Sequence, residues 1–296
     1  MIVAILTFAQ AGGQDAAEKF ANATSSGIAL GAIYALLALG LVLIYKATQV
    51  LNFAHGALAA LGAFFAAYLA TVINFPGRYV TFVPTPVQWV LSALVAVILT
   101  AIVGLVVERL AIRPMIGEPL FSVVMITIAL DIVLRTITDD LIGSTPRPLG
   151  DPWGADVVNI GPALVAKTEI ATLVVTVITL VGIALFFRSR YGIAMRATAF
   201  DQEAAMAQGI SAGRIFARAW AIGAGLAAVA GIFSSVYPRA ALGVSGTTAF
   251  FAFRALPAIV IGGLVSITGA VVGGFIVGLA ETYAGVYLTG ATWSFL

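Results

Sequence analysis

The sequence contains no cysteine and only one histidine, His55. The first absence excludes disulfides, thiolate chemistry and zinc–thiolate sites, and the second excludes a multi-histidine metal cluster. Charge is scarce as well. Asp, Glu, Lys and Arg make up 9% of the chain, against roughly a quarter of an ordinary soluble domain. No GxxxxGK[ST] phosphate loop occurs, so ATP is not bound here in that way. The adjacent carboxylates Asp139 and Asp140 lie in a polar stretch and read as a solvated pair. With no nucleophile–base pair and no metal-ligand set in view, the chain offers no catalytic residues and calls for no cofactor. The net charge is +2, and the basic residues are too dispersed for a nucleic-acid surface.

What is abundant is apolar. Hydrophobic residues account for 61% of the chain, and the mean hydropathy is +1.08. They come in runs of about twenty, the length that carries a helix across a hydrocarbon core of ~30 Å. The ~10-residue alternation of a membrane β-barrel is missing. The expected fold is all-α, a polytopic bundle of about eight spans: residues 27–45, 50–73, 87–107, 121–137, 169–187 and 215–237, then 250–288 crossing twice with a break near 266–269. A Pro-rich loop over 75–86 cannot continue a helix. Residues 138–168 form the longest polar interval and read as an exposed loop. Residues 1–26 are expected to be a polar N-terminal extension. Its opening, MIVAILTF, lacks the basic flank of a signal peptide, which argues against a cleavage after Ala11.

Lys and Arg in short loops set the orientation. Arg188, Arg190, Arg196 and Arg214 mark 188–214 as cytoplasmic, which puts Lys46, Arg109 and Arg113 inside and the acidic loop outside. Glycines four apart (Gly27 and Gly31, Gly269 and Gly273, Gly274 and Gly278) suit close helix packing in lipid.

Polar groups inside apolar runs are the informative residues, because they are costly at membrane depth unless paired or lining a cavity. Asp131 and Arg135 share one helical face and are expected to neutralise each other. The segment Leu51-Asn52-Phe53-Ala54-His55-Gly56 has two readings. It is either an interfacial turn with Asn52 capping the next helix, or a broken helix beside a substrate path. Glu281 is either paired with Arg254 or a backbone group as structural glue, or part of a pathway. In the cytoplasmic segment, Asp201 is a good N-cap and Gly209 a natural stop for a short helix, which either lies on the membrane surface or docks into a groove of another protein.

Three blocks then carry a resemblance. GAIYALLALGLVLIYKATQVLNFAHGALAALGAFFAAYL resembles the opening of the permease subunits of bacterial ATP-binding-cassette importers for branched-chain amino acids. The cytoplasmic stretch resembles the loop by which these permeases contact their ATPase, with Arg190, Gly192, Arg196, Asp201, Ala204, Ala205, Gly209 and Ile210 at the family's spacing. FRALPAIVIGGLVSITGAVVGGFIVGLAE is similar to the family's penultimate region. The resemblance implies a permease domain over 27–296 with its coupling segment at 188–214, and a pathway using Tyr34, Asn52, Phe53, His55, Gly56 and Glu281. It also implies two ATPase subunits, a second permease subunit, homologous or identical, an extracytoplasmic solute-binding protein, and a place in the bacterial inner membrane. The family usually continues into one further hydrophobic segment with an Arg-Pro tail, whereas this sequence stops at Leu296. Near relatives carry other amino acids, short amides or urea. A stand-alone secondary transporter or channel using Glu281 or His55 is the alternative from another class.

Overall fold

The computed structural model describes residues 2–79, 82–115, 118–143, 145–240 and 243–288. Its long helices are α1 (Ile2–Thr48), α2 (His55–Ala67, continuing in wider π-type turns over Tyr68–Ile73), α3 (Thr85–Val107), α4 (Leu120–Ile142), α5 (Lys167–Arg188), α8 (Ala212–Ser234) and α10 (Ile267–Tyr287). Between α5 and α8 lie two short helices, α6 (Arg190–Phe200) and α7 (Gln202–Ala207). Between α8 and α10 a 3₁₀ helix (Gly246–Ala255) runs into α9 (Leu256–Gly262). Among the described residues, seven helices are long and apolar enough to cross a bilayer, and Gly246–Gly262 is a shorter apolar one.

That short helix still reaches from one end of the bundle to the other. Gly246 sits against Asp139 at the end of α4, while Val265, just beyond α9, accepts a hydrogen bond from Lys46 at the other end of α1. Seventeen α-helical residues would rise only about 25 Å. Because ten of them are 3₁₀, at ~2.0 Å per residue, the segment spans roughly 30 Å. The described residues therefore make eight crossings. The polar interval before α5 is more ordered than a bare loop: α4 extends to Ile142, and β1 (Val157–Ile160) pairs antiparallel with β2 (Ala163–Ala166) in a small hairpin. α1 also begins far upstream of Gly27.

Burial is arranged for a lipid solvent. α1, α2 and α8 form the interior, with Tyr34, Leu36, Leu43, Leu58 and Trp220 fully enclosed. The outer helices turn Leu94, Ile98, Val174, Ile178, Leu185 and Ile276 outward. In water such a ring of exposed apolar side chains would drive aggregation; in hydrocarbon it is the matching surface.

Two of the glycine pairs meet face to face. Gly274 and Gly278 of α10 lie against the backbones of Ala35 and Gly31 of α1, and Gly27 packs on Leu279. The opposite face of α10 uses Gly269 and Gly273 against Gly262 and Ala258 of α9. Small residues on both faces let α10 run between two backbones at near-contact distance, where dispersion replaces the missing hydrophobic drive.

The Lys/Arg pattern stays coherent in three dimensions. Arg113 donates to the Gly213 carbonyl (3.0 Å) and is salt-bridged to the buried Glu108 (2.9 Å), joining the end of α3 to the start of α8 beside the arginine-rich segment. Lys46 lies at the same end.

Candidate substrate pathway and coupling site

Within the bundle, the chain between α1 and α2 turns back on itself. α1 stops at Thr48, Gln49 takes a left-handed conformation (φ 58°), and α2 starts only at His55, not at Val50 where the apolar run begins. The His55 ring rests on Gly40, where a Cβ would come 2.7 Å from the imidazole Cε1, and the Gly223 backbone closes on Gly40 in turn. Gly40 is eight residues before the end of α1, about 12 Å along its axis. α2 therefore begins deep inside the bundle, which is the geometry of a broken helix rather than of an interfacial turn. Asn52 does not cap α2 in the usual manner. Its Oδ1 accepts from the Ala54 N–H (3.0 Å), just outside the helix, and α2 has no side-chain cap.

The broken segment leaves polar atoms without partners. Asn52 and His55 are both 1% exposed, and Asn52 Nδ2 and both His55 ring nitrogens have no hydrogen-bond partner among the described residues. α4 runs alongside: Thr127 donates to the Leu51 carbonyl (3.3 Å), and one turn on, Asp131 and Arg135 form the expected ion pair. Phe53 is half-buried, and Gly56 lets the backbone of Ala249 approach where a Cβ would collide.

Tyr34 and Glu281 belong to a second cluster, joined by a 2.5 Å hydrogen bond from the Tyr34 hydroxyl to Glu281 Oε2. Glu281 Oε1 accepts from Arg254 (3.2 Å), the partner named in one of its two readings, and the carboxylate is also held by a phenol. The 3₁₀ helix connects the two clusters. Ala249 faces Gly56, Arg135 lies over the Phe250 ring at 4.2 Å, Phe251 packs on Tyr34 with ring centroids 5.4 Å apart, and Arg254 pairs with Glu281. A ten-residue 3₁₀ run is unusually long, and such stretches often mark hinges.

At the end opposite the arginine-rich segment, a cleft of about 250 Å³ opens over Tyr34 and Glu281, lined by Ser26, Leu30, Glu169, Arg239, Phe251 and Arg254 among others. Arg239 donates to the Ser26 carbonyl (3.1 Å) and lies 4.0 Å from Glu169, beyond hydrogen-bonding length. Glu169 is itself committed: Ser26 Oγ donates to it at 2.8 Å, and the Ala166 N–H, at the start of α5, at 3.2 Å. Burial pulls the Arg239 guanidinium below its usual value, with Glu169 and then Tyr34 opposing that pull. Arg239 and Glu169 were not singled out from the sequence as pathway residues. They lie 70 positions apart, flanking different helices, and only the fold brings them to one cleft.

On the arginine-rich end, the helical reading of 201–209 extends to a pair of helices. Ser189 caps α6 through Gly192 N–H (3.4 Å), and Asp201 caps α7 by accepting from Ala204 N–H (2.9 Å). Gly209 (φ 81°) ends α7: its N–H bonds to the Met206 carbonyl and that of Ile210 to Ala205, the double bond of a Schellman stop. Arg190, Arg196, Asp201, Ala204 and Gly209 are exposed, whereas Gly192 and Ala205 face inward and Ile210 is half-buried. Phe200, next to Asp201, is 95% exposed, and Met206 is exposed as well. Behind this knob, Gln202 shares a cleft of about 230 Å³ with Gln49 and Val50, the start of the broken segment.

No solved structure matches the chain. Among curated proteins it is similar to the high-affinity branched-chain amino acid transport system permease protein BraD of Pseudomonas aeruginosa, with 30% identity over 87% of this chain and 84% of the relative. It is 29% identical to LivH of Escherichia coli, a permease protein of the same description, over 89% and 85% of the two chains. A probable LivH of Methanocaldococcus jannaschii is 30% identical over 86% of this chain and 78% of the relative. Residues 23–296 match the family described as the permease component of branched-chain amino acid transport systems. With eight crossings, a broken second helix and a match over nearly the whole length, this multi-pass membrane protein belongs to that family of permease components.

Proposed function

We propose that the chain is one permease half of an ATP-driven importer for branched-chain amino acids. Solute comes from an extracytoplasmic binding protein, a second permease completes the pathway, and two separate ATPase subunits supply the free energy. The observation that carries this reading is the capped knob α6–α7 at the arginine-rich end, the end that short-loop Lys and Arg assign to the cytoplasm. A short helix fixed at both ends, by Asp201 and by the Gly209 stop, is a rigid lever, and its outer side presents Phe200, Ala204 and Met206 to a partner's groove. Its inner side meets the cleft that ends at Gln49 and Val50. A push on α7 thus has a short physical route to the broken segment Asn52–Gly56 and, through the 3₁₀ helix, to Tyr34 and Glu281, as alternating access requires.

Two substitutions separate docking from mere folding. Ala204→Trp adds bulk on the exposed side of α7 and is expected to abolish recovery of an ATPase in mild-detergent co-purification, with ATP-driven uptake falling to background and an unchanged melting temperature. Ala205→Trp pushes from the buried side and is expected to weaken docking and lower the melting temperature together. If no ATPase accompanies the wild-type chain, or if Ala204→Trp leaves uptake intact, the coupling assignment is wrong. Gradient-driven transport by the purified chain alone would point instead to a secondary transporter.

A further inference from the structure

The outward cleft combines features that a purely structural ion-pair network does not need. Its charged side chains, Glu169, Arg239, Arg254 and Glu281, balance to zero net charge. Their pairing is incomplete. The Arg239 side chain is 11% exposed, yet among the described residues its guanidinium makes one hydrogen bond, to the Ser26 carbonyl, and the nearest carboxylate is 4.0 Å away. A guanidinium carries five N–H donors in a planar fork, so Arg239 lines the cleft with most of that capacity unused among the described residues. Burying such a group is costly, and a structural role would be better met by closing the remaining distance to Glu169.

Glu281 is the complementary element. It accepts from the Tyr34 hydroxyl on one oxygen and from Arg254 on the other. Each carboxylate oxygen has a second lone pair, and Arg254, 63% exposed by its side chain, is the more easily displaced of the two partners. Leu30, Pro238 and Phe251 supply the apolar part of the wall. At about 250 Å³ the cleft is smaller than the ~300–1,000 Å³ sites that take drug-sized molecules, and suits one amino acid rather than a peptide.

We propose that this cleft is a receiving site for the zwitterionic head of a free α-amino acid, with Arg239 binding the α-carboxylate and Glu281 the α-ammonium. The side chain rests on Leu30 and Phe251 without a shaped pocket of its own. The inference rests on the importer reading for its physiological meaning and adds a chemical criterion: the permease recognises the two charges that all α-amino acids share, and reads side chains only as apolar bulk. Arg239 forms a two-pronged, charge-assisted contact of the kind that gives planar carboxylate recognition. The Tyr34 hydroxyl holds Glu281 in place, and Phe251 packs on the Tyr34 ring, so occupancy of the cleft is mechanically joined to the 3₁₀ helix.

The test measures direct binding to the full chain in nanodiscs, without binding protein or nucleotide. The probes are L-leucine, L-valine, L-leucinamide, which lacks the carboxylate, and 4-methylpentanoate, which lacks the ammonium. Leucine and valine are expected to bind within about tenfold of each other. Leucinamide and 4-methylpentanoate should each bind about 10- to 100-fold more weakly than leucine, the loss of one charged hydrogen-bonding partner. Arg239→Gln should erase the preference for leucine over leucinamide. Glu281→Gln should weaken leucine while leaving 4-methylpentanoate no worse than in the wild type, so the proposal remains testable even where Arg239→Gln fails to fold. Equal binding of leucine and leucinamide, no leucine binding at all, or unchanged selectivity in a folded Arg239→Gln chain would overturn it. The importer reading is decided separately, by ATPase co-purification, so either can fail while the other stands.

Discussion

Gly278→Leu is expected to prevent the chain from assembling into a stable bundle, whereas Gly182→Leu should leave it unaffected. A side chain at Gly278 would enter the backbone of Gly31, and neither backbone can move aside, because α10 is held on its other face by Gly273 against Ala258. Overpacking in an ordinary core costs ~1–3 kcal/mol and is relieved by flexible side chains. Here the obstacle is main chain, so the expected loss lies above about 3 kcal/mol, at or beyond the upper end of that range. Gly182, on α5, meets nothing within 4 Å, so a leucine there adds only lipid-facing surface. Size-exclusion profiles and melting temperatures of the two variants in the same detergent make the comparison. A Gly278→Leu chain that melts with the wild type would show that the α1–α10 seam does not hold the bundle together.

The second large effect concerns the ion pair on α4. Arg135→Leu should destabilise the protein by about 3–5 kcal/mol, because it strands the Asp131 carboxylate, whose side chain is only 8% exposed. The double replacement Asp131→Leu/Arg135→Leu removes both charges and should recover most of that loss, since a buried pair and a well-packed apolar pair are often nearly equivalent. Unfolding measured across the full double-mutant cycle gives the coupling. An Arg135→Leu variant as stable as the wild type would mean that water reaches Asp131 and the pair carries little energy. The double variant also removes the guanidinium that lies over Phe250, so a stable double variant with impaired uptake would trace a contribution to the 3₁₀ helix.

Several of these features are legible in the chain because their causes are local. Asp131 and Arg135 are four residues apart, and helical periodicity alone brings them together. Asp201 and Gly209 mark the ends of α7 because capping depends on the residues at those ends. Glu281 stands out as a group that has to be paired or line a cavity, since an isolated carboxylate in an apolar run is too costly to leave alone. Other features escape a local reading. The start of α2 at His55 follows the packing of its ring on Gly40, not hydropathy, which already rises at Val50. The 3₁₀ conformation of Gly246–Ala255 has no sequence signature of comparable strength. It follows from the need to stretch a short apolar segment across the whole bundle.

The solvent, the number of crossings and the capped knob are already written in the chain, because each depends on composition or on neighbours within a few turns. Which helices touch, the depth at which the second helix starts, and the meeting of Glu169, Arg239, Arg254 and Glu281 in one cleft emerge only from the folded bundle. Those outcomes require contacts between segments as far apart as Ser26 and Glu281, whose proximity is fixed by backbone packing of glycine against glycine. Hydrophobic patterning selects lipid over water, but it cannot select among apolar partners of equal affinity for lipid. Shape and polar pairing make that selection.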